Sequence, residues 1–288
     1  MDVIRVAGPA ALLVAGLGTL FALILLIASI KLKVEMDPKE EQVLFTLPRV
    51  DCGGCGFAGC GAYAKAVVEN PELLGRCAPG GAEVTNAIAQ ILSIRSGGGD
   101  VPARAMVLCR AHTEDKEFFS KYDGIPTCTS ANAQPNVQAC AYGCLGFGDC
   151  THVCKFDALH IIDGLATVNY DNCTGCGACE KVCPRFIIHM VPFKHENMMT
   201  VACSSKENGK NTRSFCKVGC IACGICARQS PLFTVTNNLA RIDFAKYDPS
   251  EATQTAHDKC PTGVIVYRGK TAPEPRQPGQ KAKTEAAV

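Results

Sequence analysis

Cys173-Thr-Gly-Cys176-Gly-Ala-Cys179-Glu-Lys-Val-Cys183-Pro184 decides what this chain is built around. Three cysteines at three-residue intervals let one tight loop set three thiolates around the corners of an iron–sulfur cube. A fourth cysteine, followed at once by proline, ends the loop and leaves it pointing elsewhere. Structural zinc sites use Cys-x2-Cys pairs or mixed Cys/His sets, which this run is not.

In two-cluster ferredoxins the first three cysteines of such a run hold one 4Fe-4S cube and the fourth reaches the other, so a partner run is expected about thirty residues upstream. Cys144-Leu-Gly-Phe-Gly-Asp-Cys150-Thr-His-Val-Cys154 stands there, with Phe147 where a second cysteine belongs and Lys155 in place of proline. Cys140, four residues before Cys144, is the expected substitute. The expected ligand sets are Cys140, Cys144, Cys150 and Cys183 for one cube, and Cys173, Cys176, Cys179 and Cys154 for the other.

The pattern then repeats. Cys140-x3-Cys144 is matched by Cys216-x3-Cys220, Leu159–Ile162 by Leu232–Val235, and Gly164–Val168 by Asn238–Ile242. In the second copy Cys220-x2-Cys223-x2-Cys226-x3-Ser230-Pro231 has serine for the fourth cysteine. Tyr247 and Ser250 stand near the positions of Cys173 and Cys176, and only Cys260-Pro261 survives of that run. All the missing ligands belong to one cube. The second copy is therefore expected to hold a single cube on Cys220, Cys223, Cys226 and Cys260.

Nearer the N-terminus, Cys52-Gly-Gly-Cys55-Gly-Phe-Ala-Gly-Cys60 is followed by Cys77. Its glycines let backbone N–H groups approach cluster sulfurs, and it reads as a fourth 4Fe-4S site, with a zinc site as its rival. Four cubes use sixteen of the twenty cysteines. Cys109, Cys128, Cys203 and Cys216 remain, either as buried thiols or as a fifth site or alternative ligands. Cys109 and Cys203 follow similar apolar runs and read as repeat equivalents.

Val6 to Ile30 carries no charge. As a helix it spans about 37 Å, against about 30 Å of hydrocarbon. It is longer than a signal-peptide core and lacks a small-residue cleavage site. Lys31 and Lys33 follow it, which favours a cytoplasmic location for the rest, as does the reducing compartment that metal-binding thiolates need. The expected fold is α+β. A single transmembrane helix anchors residues 1–34, and a small helical 4Fe-4S domain covers 35–95. A linker and lead-in segment (96–134) precedes a two-cluster ferredoxin-like domain (135–192), a degenerate one-cluster copy (193–268) and a disordered tail (269–288). Within the helical domain, Gly61–Leu74 and Thr85–Ile94 carry helical periodicity.

With 29 Lys+Arg against 27 Asp+Glu, the chain lacks the basic excess of a nucleic-acid binder. There is no phosphate-binding glycine loop, no nicotinamide or flavin fingerprint, and no readable catalytic triad among the six scattered histidines. One uncharged span cannot itself be an ion pathway. Cubes in series without a substrate site read as an electron conduit. The anchor, the block Leu47-Pro48-x3-Cys52-Gly-Gly-Cys55-Gly-Phe-x2-Cys60 and the downstream runs, including Tyr142-Gly-Cys-Leu-Gly-Phe-Gly-Asp-Cys150, resemble the B subunit of the Rnf electron transport complex in its longer form. That resemblance implies an inner-membrane complex with flavin-bearing subunits and a soluble NADH-binding one. In it this subunit exchanges electrons with soluble ferredoxin, and the complex moves Na+ or H+. The related Rsx system, which reduces a redox-sensing transcription factor, is the alternative.

Overall fold

The computed structural model describes residues 2–31, 37–94, 101–135 and 137–270, with side chains from residue 14 onward. Helix α1 (Asp2–Lys31) carries the uncharged run, and from Val14 to Lys31 it is long and apolar enough to cross a membrane. None of that window is buried, and Leu17, Leu20, Phe21 and Leu25 have no protein covering them. Such a surface suits lipid better than water.

Asp37 accepts the Lys39 N–H at 2.8 Å and Pro38 takes the first turn, which starts α2 (Pro38–Thr46). The helix stops before Leu47, which is extended ahead of Pro48. Helix α3 (Cys60–Glu69) is shorter than its periodicity suggests, because Asn70-Pro71 breaks it into a separate 3-10 turn. Helix α4 (Gly81–Leu92) starts earlier than expected and ends at left-handed Ser93. Val43, Leu47, Tyr63, Val67 and Ile88 make the shared core of these three helices.

Beyond them lie two copies of one small unit. In the first, β1 (Ala103–Val107) precedes α5 (Cys128–Ala133) and α6 (Asp149–His152). The hairpin β2 (Leu159–Ile162) and β3 (Leu165–Val168) follows, then α7 (Ala178–Val182) and β4 (Ile188–Pro192). Strand β1 pairs antiparallel with β4, with Ala105 opposite Met190. The second copy begins with β5 (Asn197–Val201), α8 (Gly209–Phe215) and α9 (Ile225–Gln229). It continues through the hairpin β6 (Phe233–Thr236) and β7 (Leu239–Ile242) to α10 (Glu251–Asp258) and β8 (Ile265–Gly269). Strand β5 pairs with β8, with Met199 opposite Tyr267. Both hairpins close through two residues of positive φ, Asp163-Gly164 and Asn237-Asn238, the tight turn whose twist matches the strands.

The segment expected as linker and lead-in proves structural. The apolar run Ala105-Met106-Val107-Leu108 is buried on both faces. Ala105 and Val107 face the core of the first copy, while Met106 and Leu108 join the core of the second with Met198, Met199, Phe233 and Ile265. Side chains alternate along a strand, so β1 serves both cores and fastens the copies together. Lys33, the Ser96–Asp100 linker signal and the tail from 271 lie outside the described residues.

Candidate iron–sulfur sites

In the N-terminal unit, Asp51 Oδ1 accepts the Cys60 N–H at 2.6 Å and fixes the start of α3. Cys52 and Cys55 lie in the loop before that helix, and Cys77 lies just before the turn into α4. The Cys77 thiol is pushed up by burial and by the nearby thiols of Cys60, Cys52 and Cys55, which brings all four together.

In the first ferredoxin-like copy, Cys154, Cys173, Cys176 and Cys179 converge. Cys179 is pushed up to about 12 by burial and then by the other three. Backbone N–H groups point at two of these sulfurs: Ala105 at Cys173 Sγ (3.4 Å) and Ala158 at Cys154 Sγ (3.3 Å). Cys150 is raised to about 12 by burial and then by Cys144, Cys128, Cys183 and Cys179.

Here the structure departs from the sequence expectation. The thiol that joins Cys144, Cys150 and Cys183 is Cys128, at the start of α5. Asp149 holds it there, accepting the Cys128 N–H at 2.7 Å and the Thr129 N–H at 3.0 Å. Cys140 lines a different hollow, with Cys109, Cys203 and Cys216. Phe147 turns its ring edge-on to Tyr122 at 5.2 Å.

In the second copy, Cys220, Cys223, Cys226 and Cys260 line one hollow. Cys226 is raised to about 11 by burial and then by the other three. Where the repeat lacks cysteines, the core is filled. Tyr247 is 4% exposed in the core and accepts the Met199 N–H at 2.8 Å. Ser230 is buried, and its hydroxyl accepts the Leu232 N–H at 3.3 Å.

The groups adjoin one another. Cys52 is among the charges that raise Cys176, and Cys179 among those that raise Cys150. Lys155 Nζ donates to the Val50 and Asp51 carbonyls at 2.9 and 2.7 Å, holding the N-terminal unit against the first copy. A Cβ on Gly54 would meet the Cys176 carbonyl oxygen at 2.6 Å, so only glycine allows that approach.

This donor set fits thiolate-ligated iron. All twenty cysteines are free, and they gather in fours with backbone N–H groups on sulfur. Zinc would draw four ligands in to about 2.3 Å from one ion. Among the described residues no group of three or more His, Cys, Asp or Glu is placed to hold a single metal ion.

Two small antiparallel copies with clustered cysteines define a ferredoxin-like carrier of 4Fe-4S clusters. Family models agree: residues 47–79 match one described as "Putative Fe-S cluster" and 166–189 match a 4Fe-4S binding domain. The chain is 37% identical over 263 residues to the B subunit of the Na(+)-translocating ferredoxin:NAD(+) oxidoreductase complex of Acetobacterium woodii, covering 88% of this chain and 77% of that one. It is 35% identical over 260 residues to the B subunit of the ion-translocating oxidoreductase complex of Methanosarcina acetivorans, covering 88% and 96%. To the B subunit of the proton-translocating ferredoxin:NAD(+) oxidoreductase complex of Clostridium ljungdahlii it is 38% identical over 281 residues, covering 94% and 95%. The chain belongs to the family of B subunits of the Rnf, ion-translocating oxidoreductase complexes.

Proposed function

We propose that this chain is a membrane-anchored relay. It passes electrons between soluble ferredoxin and the remaining subunits of a Na+- or H+-translocating ferredoxin:NAD+ oxidoreductase. The carrying observation is adjacency: Gly54, between Cys52 and Cys55, packs against the Cys176 backbone, and Cys150 is within electrostatic reach of Cys179.

When bound, the 4Fe-4S groups supply one-electron transfer. The ligand sets in this reading are Cys52, Cys55, Cys60 and Cys77; Cys154, Cys173, Cys176 and Cys179; Cys128, Cys144, Cys150 and Cys183; and Cys220, Cys223, Cys226 and Cys260. The buried thiols must lose their protons to bind metal, so loading releases protons. Ala105 and Ala158 N–H groups favour added negative charge on the sulfurs they face. Cys223 is the one exposed cysteine, which suits the Cys220 end to a soluble carrier. The uncovered α1 tethers the other end to membrane subunits, and free cysteines throughout suit the cytoplasmic side.

The test uses membranes bearing the whole complex. Oxidation of reduced ferredoxin with NAD+ should fall at least tenfold when Cys77→Ala replaces the parent chain. An unchanged rate in membranes shown to contain the variant would refute the relay.

A further inference from the structure

Cys109, Cys140, Cys203 and Cys216 line one hollow between the two ferredoxin-like copies, partly open to solvent. Its construction is two-fold. Cys109 follows β1 and Cys203 follows β5, the matching outer strands. Cys140 and Cys216 each open a Cys-x3-Cys run with glycine before the second cysteine, Gly143 and Gly219. A Cβ on Gly143 would lie 3.4 Å from Cys140 Sγ, and one on Gly219 3.5 Å from Cys216 Sγ. Each copy thus gives two thiols from equivalent places.

The copies are locked together here. Glu117 N–H donates to the Phe215 carbonyl and Lys217 N–H to the Asp115 carbonyl, both at 3.0 Å, and Ser204 Oγ donates to the Leu108 carbonyl at 3.0 Å. Two cations stand close to its cysteines. Buried Lys116 lines it while its Nζ donates to the Cys144 carbonyl at 2.8 Å, and Arg185 Nη1 donates to the Cys140 carbonyl at 3.3 Å. A thiolate-ligated cube is an anion, and buried charge persists only when it is compensated.

We infer that Cys109, Cys140, Cys203 and Cys216 hold a further 4Fe-4S cluster, one that bridges the two copies. This deepens the relay reading and rests on it. Cys140 stands four residues before Cys144 and Cys216 four before Cys220, and the Cys220 backbone N–H faces the Cys203 sulfur. The bridging site therefore lies between the Cys144 and Cys220 groups and makes the relay five sites in a row. A hop across it moves one electron, oxidising one cluster and reducing the next, with no bond made or broken.

The test is made on the full-length chain, loaded with iron and sulfide anaerobically in detergent. The parent should carry about twenty iron per chain, and Cys109→Ala/Cys203→Ala about four fewer, with one component lost from the Mössbauer spectrum and the rest unchanged. Inert buried thiols require about sixteen iron in the parent and no loss in the variant, and that result overturns the bridge while leaving the relay standing. A parent free of iron overturns both. If the variant does not fold, the parent's iron and acid-labile sulfide decide the matter alone.

Discussion

Asp149 accepts the backbone N–H of Cys128 at 2.7 Å across a gap of 21 residues in the chain. It also accepts the Thr129 N–H and hydroxyl, at 3.0 and 2.8 Å. Asp149 precedes Cys150, so one carboxylate ties a distant cysteine to the Cys144 and Cys150 run.

Asp149→Ala should cost about 1.5–3 kcal/mol, the range for hydrogen bonds to a charged group. Against the upward push of burial, the hydrogen bonds from Cys128 and Thr129 hold the Asp149 carboxyl below its usual range. A lowered folded value means the stabilisation is complete above the unfolded pKa of about 3.9 and is lost only as pH falls below it. The difference in thermal midpoint between variant and parent should therefore stay constant from pH 8 to pH 5. A difference that fades within that window would show that the carboxylate is not held this way.

Cys128→Ala and Cys183→Ala should disturb the same cluster spectrum. Cys183 follows the Cys173 run in sequence, but it acts on Cys150, as Cys128 does. Electron paramagnetic resonance of the reduced protein checks this. Each variant should alter one common signal and leave the signal of the Cys173 group as it was. Loss of the Cys173-group signal in Cys183→Ala would break the cross-ligation.

How far these sites are legible in the sequence varies with the range of the contacts that make them. The fold class and the Cys173 run are local, because three-residue spacing around a cube is a property of one loop. Cys128 is not local. It is delivered by the tie to Asp149, and no periodicity records that tie. For Cys140 the sequence carries two opposed signals. Proximity puts it with Cys144. The repeat sets it opposite Cys216, which stands outside the Cys220 group, and so puts it outside the Cys144 group. The structure follows the symmetry. Strand β1 is hidden for a related reason: its partner, β4, pairs Ala105 with the distant Met190, and its run Ala105-Met106-Val107, buried on both faces, carries no alternation to announce a strand.

Gly54→Val should loosen the N-terminal unit from the first copy. Its Cβ would meet the Cys176 carbonyl oxygen, part of the backbone, which cannot swing aside. The iron content of each unit should survive, because Gly54 supplies no ligand. Electron transfer from the Cys52 group to the Cys173 group should slow at least tenfold in rapid-mixing reduction experiments. Lys155→Ala, which removes the donor to Val50 and Asp51, should slow it in the same direction by less. Unchanged transfer in both variants would mean that this contact does not carry the electron.

The second copy offers the sharpest contrast with the first. Ala105 and Met199 occupy the third position of matching strands. One sends its N–H to Cys173 Sγ and the other to Tyr247 Oη. In the second copy the tyrosine thus takes the hydrogen bond that Cys173 accepts in the first. Ser230→Cys restores only one cysteine, beside a core that Tyr247 fills, so iron per chain should not rise. Tyr247→Ala should destabilise the copy by about 3 kcal/mol or more, as removal of a buried aromatic does, and should likewise bind no added iron. Thermal unfolding and iron analysis of the two variants measure both effects. A gain of about four iron in Ser230→Cys would mean that the lost site is still open and that Tyr247 does not block it.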